Sequence, residues 1–102
     1  MLRLFYYGTY CYILYSPSHD RFYTGSTELE TDQRLELHLA RHYGNKKYTA
    51  IASDWELYLE ISCDSIKQAR QVEAHIKKMK SKNYIINLKK YPEMIEKLLS
   101  KY

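Results

Sequence analysis

A chain of 102 residues with a formal net charge of +4 has the length of one ordinary domain, so we expect a single domain over 1–102. Its two cysteines are too few for a disulfide framework or a four-thiolate zinc site, and its 45% hydrophobic content excludes a disordered chain. No apolar run reaches the roughly 18 residues that a membrane span needs, and the N-terminal residues lack the features of a secretory signal. We therefore expect a cytoplasmic protein without a membrane partner.

The first predicted element is a β-hairpin. Residues 9–15 are aromatic and β-branched, which predicts a buried strand. Residues 16–20 have the composition of a turn, and residues 21–25 predict a second strand antiparallel to the first.

A helix is expected next. Glu28 and Glu30 follow Ser26-Thr27, and acidic residues there favour a helix N-terminus. This helix should run to about Arg41 and stop near Gly44-Asn45.

The second half of the chain predicts one strand and three helices. Residues 55–61 alternate between apolar and polar side chains, which indicates a strand. Asp64-Ser65 can cap a helix over 66–79, a short helix follows from Ser81 to Lys89, and Pro92 begins a last helix over about 92–101. The expected fold class is α+β, a small three-stranded, mainly antiparallel sheet (a hairpin plus a third strand) covered by helices.

Glu73 interrupts the apolar stripe of the helix over 66–79. With about 100° per residue it lies about 55° from the centre of that stripe. A carboxylate near the core must be paired, protonated or bound to a metal. It could also reach solvent at the edge of the stripe, or pair with Arg70 or Lys77, so the position alone leaves several roles open.

Arg34 and His38 form a second candidate pair. They are four residues apart on the first predicted helix, so their side chains share one face. An arginine neutralises phosphate charge, and a histidine carries a proton near neutral pH. Ordinary surface exposure would explain the same spacing.

Charge is distributed unevenly along the chain. Residues 1–65 carry six basic and nine acidic side chains, whereas residues 66–102 carry ten basic and three acidic ones. The densest basic run comprises Lys77, Lys78, Lys80 and Lys82. Such a run is typical either of a solvated helix face or of a surface that contacts phosphates.

Six short segments follow one another in a characteristic order: Tyr10-Cys11-Tyr12-Ile13-Leu14, Phe22-Tyr23-Thr24-Gly25-Ser26-Thr27, Arg34-Leu35-Glu36-Leu37-His38, Lys47-Tyr48-Thr49, Asp54-Trp55-Glu56-Leu57 and Gln68 to Lys78. Together, over about 10–88, they resemble the GIY-YIG nuclease superfamily. The resemblance is greatest to small stand-alone members similar to the N-terminal nuclease domain of the excision-repair incision subunit.

The resemblance implies a metal-dependent endonuclease that hydrolyses DNA phosphodiester bonds. Glu73 would hold one divalent ion, Mg²⁺ or Mn²⁺, while Arg34 and Tyr23 would stabilise the phosphate. Tyr12 would activate water, directly or through His38. Asn87 matches a later site residue, and DNA phosphates would meet Lys77, Lys78, Lys80, Lys82 and Arg41.

The sequence departs from the family pattern at three positions. Tyr10 replaces the first glycine, Thr24 replaces an aliphatic residue, and Ser26 stands where many members have a lysine. Any assistance from a lysine to the tyrosine must therefore come from elsewhere or be absent.

Two other functions are compatible with the same residues. One is a non-catalytic nucleic-acid-binding module on this scaffold, and the other is a partner-binding protein whose tyrosines serve an interface. The expected substrate is DNA, with RNA as an alternative. The chain could act as a homodimer or in a larger repair or processing complex, because Leu98 and Leu99 can pack within the chain or on a second subunit.

Overall fold

The computed structural model describes residues 8–29 and 54–102. These ranges hold strands β1 (Gly8–Ser16), β2 (Arg21–Leu29) and β3 (Glu56–Cys63), and helices α1 (Ile66–Met79), α2 (Lys82–Lys90) and α3 (Pro92–Lys101). The strand order is β2-β1-β3 with both pairings antiparallel, so β1 is central and β2 is an edge strand. The predicted α+β class with a three-stranded sheet is confirmed.

Both faces of β1 are buried, which explains its run of apolar side chains. Successive residues of a strand point to opposite faces. Cys11 and Ile13 belong to the main core beneath the helices, together with Val72, Ile76 and Leu88. A second, smaller core on the other face is formed by Tyr12, Leu14 and Trp55.

The hairpin turn is held by the carboxylate of Asp54. The Ser16 hydroxyl donates to Asp54 Oδ1 at 2.6 Å, and the Ser18 backbone N–H donates to Oδ2 at 2.8 Å. Asp20 closes the turn with φ 49°, a left-handed conformation that aspartate tolerates better than most residues. The turn thus becomes fixed to the segment that enters β3.

The helices begin and end close to their predicted limits. Ser65 caps α1 by accepting the Gln68 N–H at 3.1 Å, and Ser81 caps α2 by accepting the Tyr84 N–H at 3.1 Å. Lys80, with φ 49°, ends α1 and turns the chain directly into α2. None of the helices in the described ranges is long and apolar enough to cross a membrane.

The predicted start of the helix after Ser26-Thr27 is wrong, because β2 continues to Leu29. Thr27 is buried and pairs with Tyr10, and Glu28 pairs with Thr9. Hydrogen bonds to the central strand outweigh the weak preference of acidic residues for a helix N-terminus. The remainder of that prediction, residues 30–41, lies outside the described residues.

Candidate active site

Tyr12 lies at the centre of the sheet, with its ring against the backbone of Gly25. The two residues are cross-strand partners, and a Cβ built at residue 25 would lie 2.6 Å from Tyr12 Oη and 2.7 Å from Cζ. Only glycine leaves room for the phenol there. Glu60 is the partner of Tyr12 on β3, a neighbour that no motif in the sequence indicates. The Tyr12 side chain is only 1% exposed.

Tyr23 projects from β2 on the same face and packs against the core of Tyr12, Leu14 and Trp55. It is half-buried. Burial raises the pKa of Tyr23, the charge of Lys77 opposes this rise and that of Glu73 adds to it. Tyr23 is therefore a neutral phenol near pH 7 and can donate a hydrogen bond.

Glu73 projects from α1 toward the edge strand β2 on the helix-covered face of the sheet, because its partner Ser26 lies opposite Cys11 of the main core. Tyr12 and Tyr23 belong to the other face, so the structure does not bring Glu73 onto the face that carries Tyr12. Ser26 Oγ donates to Glu73 Oε1 at 2.7 Å, and Lys77 Nζ donates to Oε2 at 2.7 Å. The Glu73 side chain retains 21% exposure. The structure therefore pairs the carboxylate with Lys77, one of the alternatives open from the sequence, and leaves it accessible from solvent.

Lys77 connects the carboxylate to the tyrosine. Its ammonium group lies 5.6 Å from the centroid of the Tyr23 ring while it contacts Glu73. We call Tyr23, Ser26, Glu73 and Lys77 the β2-edge cluster. The i,i+4 spacing of Glu73 and Lys77 is visible in the sequence. The contact of Ser26 with Glu73 is not, because it depends on how α1 packs against β2.

The thiol of Cys11 lies behind the β2-edge cluster, on β1 opposite Ser26. It is fully buried, and burial raises the pKa of this thiol, with the charges of Cys63 and Glu73 adding to the rise. Cys11 is consequently a neutral packing group and offers no thiolate to a metal.

Asn87 is half-buried on α2, where its backbone carbonyl accepts the Tyr91 N–H at 2.8 Å. Within the described residues no hydrogen bond joins the Asn87 side chain to Glu73, so its role at the site stays a prediction. Arg34, His38 and Arg41 lie outside the described residues, and their roles stay predictions as well.

The basic run is divided between two surfaces. Lys77 and Lys80 lie beside Tyr23, and Lys82 pairs with Asp20 at 2.7 Å on the hairpin turn. Lys78 lies on another side of α1, in a depression that Tyr102 also lines.

A family model described as the GIY-YIG catalytic domain matches residues 8–89. The chain belongs to the GIY-YIG family. Its matched span includes the hairpin, β3, α1 and most of α2. No curated protein and no solved structure matches the chain significantly.

Membership of the GIY-YIG family implies a nuclease-type endonuclease that acts on nucleic acid, and such nucleases are generally metal-dependent. In the part of the chain that the structure describes, no group of three or more His, Cys, Asp or Glu side chains could hold a metal ion. Mg²⁺ keeps several water ligands and is commonly held by one or two carboxylates. Glu73, with Ser26 beside it, therefore fits such an ion through a single protein carboxylate.

Proposed function

We propose that this protein is an endonuclease that hydrolyses DNA phosphodiester bonds at the β2-edge cluster, with Glu73 holding one Mg²⁺ or Mn²⁺ ion. The observation that supports it most is the hydrogen bond from Ser26 to Glu73. This bond orients an accessible carboxylate toward the strand that carries Tyr23.

In the proposed hydrolysis a water oxygen bonds to phosphorus, and the bond from phosphorus to the 3′ oxygen breaks. The water proton passes to a base, and the departing 3′ oxygen takes up a proton. When bound at Glu73, the divalent ion supplies Lewis-acid stabilisation of the charge on the phosphate and the leaving oxygen. The residues of the chain bind the phosphate, orient the water and accept its proton.

Tyr23 and Lys77 are suited to binding the phosphate. The neutral phenol of Tyr23 donates a hydrogen bond to a phosphate oxygen, and the Lys77 ammonium offers a positive charge in the same cluster. Arg34 would add a bidentate contact to the phosphate, as the family pattern implies.

We propose that Tyr12 takes part in activating the water, either as the base itself or through His38. Its ring is 1% exposed, so direct contact with a water would require movement of the groups around it. This burial favours the route through His38, in which the histidine takes the proton and Tyr12 positions it. A phenol has a pKa near 10, so positive charge must lie close to it if it acts as a base itself.

A product analysis tests the proposal. Purified protein is incubated with duplex, branched and single-stranded DNA and with RNA, in Mg²⁺, Mn²⁺ or chelator. We expect cleavage of at least one DNA structure, absent in chelator, with ends that carry 5′-phosphate and 3′-hydroxyl groups. Tyr12→Phe should lose turnover while it keeps DNA affinity. Unchanged turnover in this variant would exclude Tyr12 from the chemistry.

A non-catalytic nucleic-acid-binding module is the second candidate. The pair of Lys77 and Glu73 favours it, because an i,i+4 salt bridge is a common surface feature of helices. DNA binding without cleavage in either metal, across the whole panel, would establish this function instead.

A further inference from the structure

Two adjoining depressions lie between the β2-edge cluster and the hairpin turn. One part has a volume of about 420 Å³ and the adjoining part about 450 Å³. Tyr23 and Lys77 line the first part, Arg21 and Lys82 line the second, and Phe22 and Lys80 line both. The two parts adjoin at these shared residues, and we call them together the β2–α2 groove.

The walls of the β2–α2 groove carry exposed cations from three parts of the fold. Arg21 begins β2, Lys77 and Lys80 lie at the end of α1, and Lys82 begins α2. The left-handed conformation of Lys80 makes the sharp turn that brings the start of α2 beside the hairpin. Phe22 belongs to the apolar floor of the groove, and the cations form its positively charged rim.

Only one carboxylate is paired with these cations outside the β2-edge cluster, within the described residues. Asp20 accepts a hydrogen bond from Lys82 Nζ at 2.7 Å and another from the Tyr15 hydroxyl at 2.8 Å. This pair is exposed, so it offsets the charge of Lys82 without neutralising Arg21 or Lys80. Among the residues that the structure describes, the charges that line the groove therefore sum to a positive value.

We infer that the β2–α2 groove holds the sugar-phosphate backbone of the DNA strand beside the phosphate to be cleaved, with Arg21 and Lys80 as phosphate-binding residues. The inference rests on the proposed function, since it is Glu73 and Tyr23 that define where that strand is cut. Continuity supports it: Lys77 belongs both to the groove and to the β2-edge cluster. A strand lying in the groove passes directly from Arg21 to the cluster.

This inference divides the basic run into contacting and non-contacting lysines. The family resemblance placed Lys78 among the residues that meet DNA phosphates, but Lys78 lines the depression beside Tyr102, so we assign it no contact with the strand in the groove. Contacts to phosphates give salt-dependent affinity with little preference for base sequence. The groove therefore predicts that position on the fold, rather than charge alone, decides which cations bind DNA.

Fluorescence anisotropy with a short fluorescein-labelled DNA duplex, measured in chelator, tests the assignment. Arg21→Ala and Lys80→Ala should each weaken binding about tenfold, and each should reduce the slope of log Kd against log salt by about 1. Lys78→Ala, which removes the same charge elsewhere, should bind like the unaltered protein. Asp20→Asn should bind more tightly, because it frees Lys82 from its ion pair.

Three results would overturn the inference. The unaltered protein does not bind DNA, Arg21→Ala and Lys80→Ala bind as tightly as the unaltered protein, or Lys78→Ala loses as much affinity as Lys80→Ala. Because binding is measured without metal, the test is independent of catalysis. If Arg21→Ala and Lys80→Ala still bind and cleave DNA like the unaltered protein, the groove assignment is wrong and the nuclease function stands. If DNA binds through the groove but is never cleaved, the groove assignment stands and the nuclease function is wrong.

Discussion

The Ser26 hydroxyl donates a 2.7 Å hydrogen bond to Glu73 Oε1, between residues 47 positions apart in the sequence. It ties the edge strand of the sheet to α1. The second oxygen of the same carboxylate accepts from Lys77 at 2.7 Å. Hydrogen bonds to a charged group are the stronger ones, so these two donors fix where the carboxylate points. The proposed metal position depends on this arrangement.

Removing the Ser26 hydroxyl should loosen the carboxylate. Groups that orient a metal ligand typically contribute about 10- to 100-fold in metal affinity or activity. Ser26→Ala should therefore raise the Mn²⁺ concentration for half-maximal cleavage by a factor of about 10 to 100. The maximal cleavage rate at saturating Mn²⁺ should fall by a smaller factor. A metal titration of cleavage measures this. Ser100→Ala removes an exposed hydroxyl on α3 and should leave the titration unchanged; an equal shift in both variants would contradict the orienting role.

Lys77 should compete with a metal for Glu73. The pair is an i,i+4 contact with Lys77 half exposed, so Lys77→Met should change the free energy of unfolding by less than about 0.5 kcal/mol. It should nevertheless tighten Mn²⁺ binding, since one cation no longer occupies the carboxylate. Electron paramagnetic resonance, which detects free Mn²⁺, measures the Mn²⁺ affinity of each variant without DNA. Lys78→Met is the matched control, and looser Mn²⁺ binding in Lys77→Met would refute the competition.

Gly25→Ala should collide with the Tyr12 ring. The added Cβ would lie 2.6 Å from Tyr12 Oη and 2.7 Å from Cζ, and the ring is buried, so it cannot swing into solvent. Overpacking of this kind costs about 1–3 kcal/mol in the free energy of unfolding. Urea denaturation gives the value. In a Tyr12→Leu background, which lacks the far ring atoms, the same substitution should cost less, and additive costs would argue against the collision.

Asp54 should stabilise the hairpin turn in a pH-dependent manner. The Ser16 hydroxyl and the Ser18 backbone N–H lower the pKa of Asp54 to about 2. A carboxyl whose pKa is lower in the folded state stabilises the fold above its unfolded pKa of about 3.9, and this contribution is lost as the pH falls through the folded value. Asp54→Ala should therefore have a lower Tm than the unaltered protein at pH 7.

The difference in Tm between Asp54→Ala and the unaltered protein should shrink as the pH falls from about 4 toward 2. Thermal denaturation followed by circular dichroism measures it. Glu96→Ala, which removes an exposed carboxylate on α3, should show little difference at either pH. A difference for Asp54→Ala that stays constant down to pH 2 would show that the carboxylate is not the cause.

Local patterns predicted most of the elements. The alternation in 55–61, the Ser65 and Ser81 caps and Pro92 each act within a few residues, and the structure confirms the elements they predicted. The error at Thr27 concerned how far β2 extends: the pairing of Thr27 with Tyr10 continues the strand, and the preference of acidic residues for a helix N-terminus does not reflect that pairing.

The candidate site was predictable in a similar way. Glu73 stood out because it interrupts an apolar stripe, and Tyr12 and Tyr23 because of their places in the motif. The contact of Ser26 with Glu73, and the separation of Lys78 from Lys80, depend on how α1 lies against β2. No spacing within one segment encodes them. Arg34 and His38 stay predictions from the motif alone.

Single-turnover cleavage of the preferred DNA by Glu73→Ala, beside Glu96→Gln, tests the central claim most directly. Both variants remove an acid from a helix, but only Glu73 contacts the β2-edge cluster. We predict that Glu73→Ala abolishes cleavage while it retains its fold and most of its DNA affinity, and that Glu96→Gln cleaves at the unaltered rate. Equal cleavage by Glu73→Ala and the unaltered protein would contradict the account.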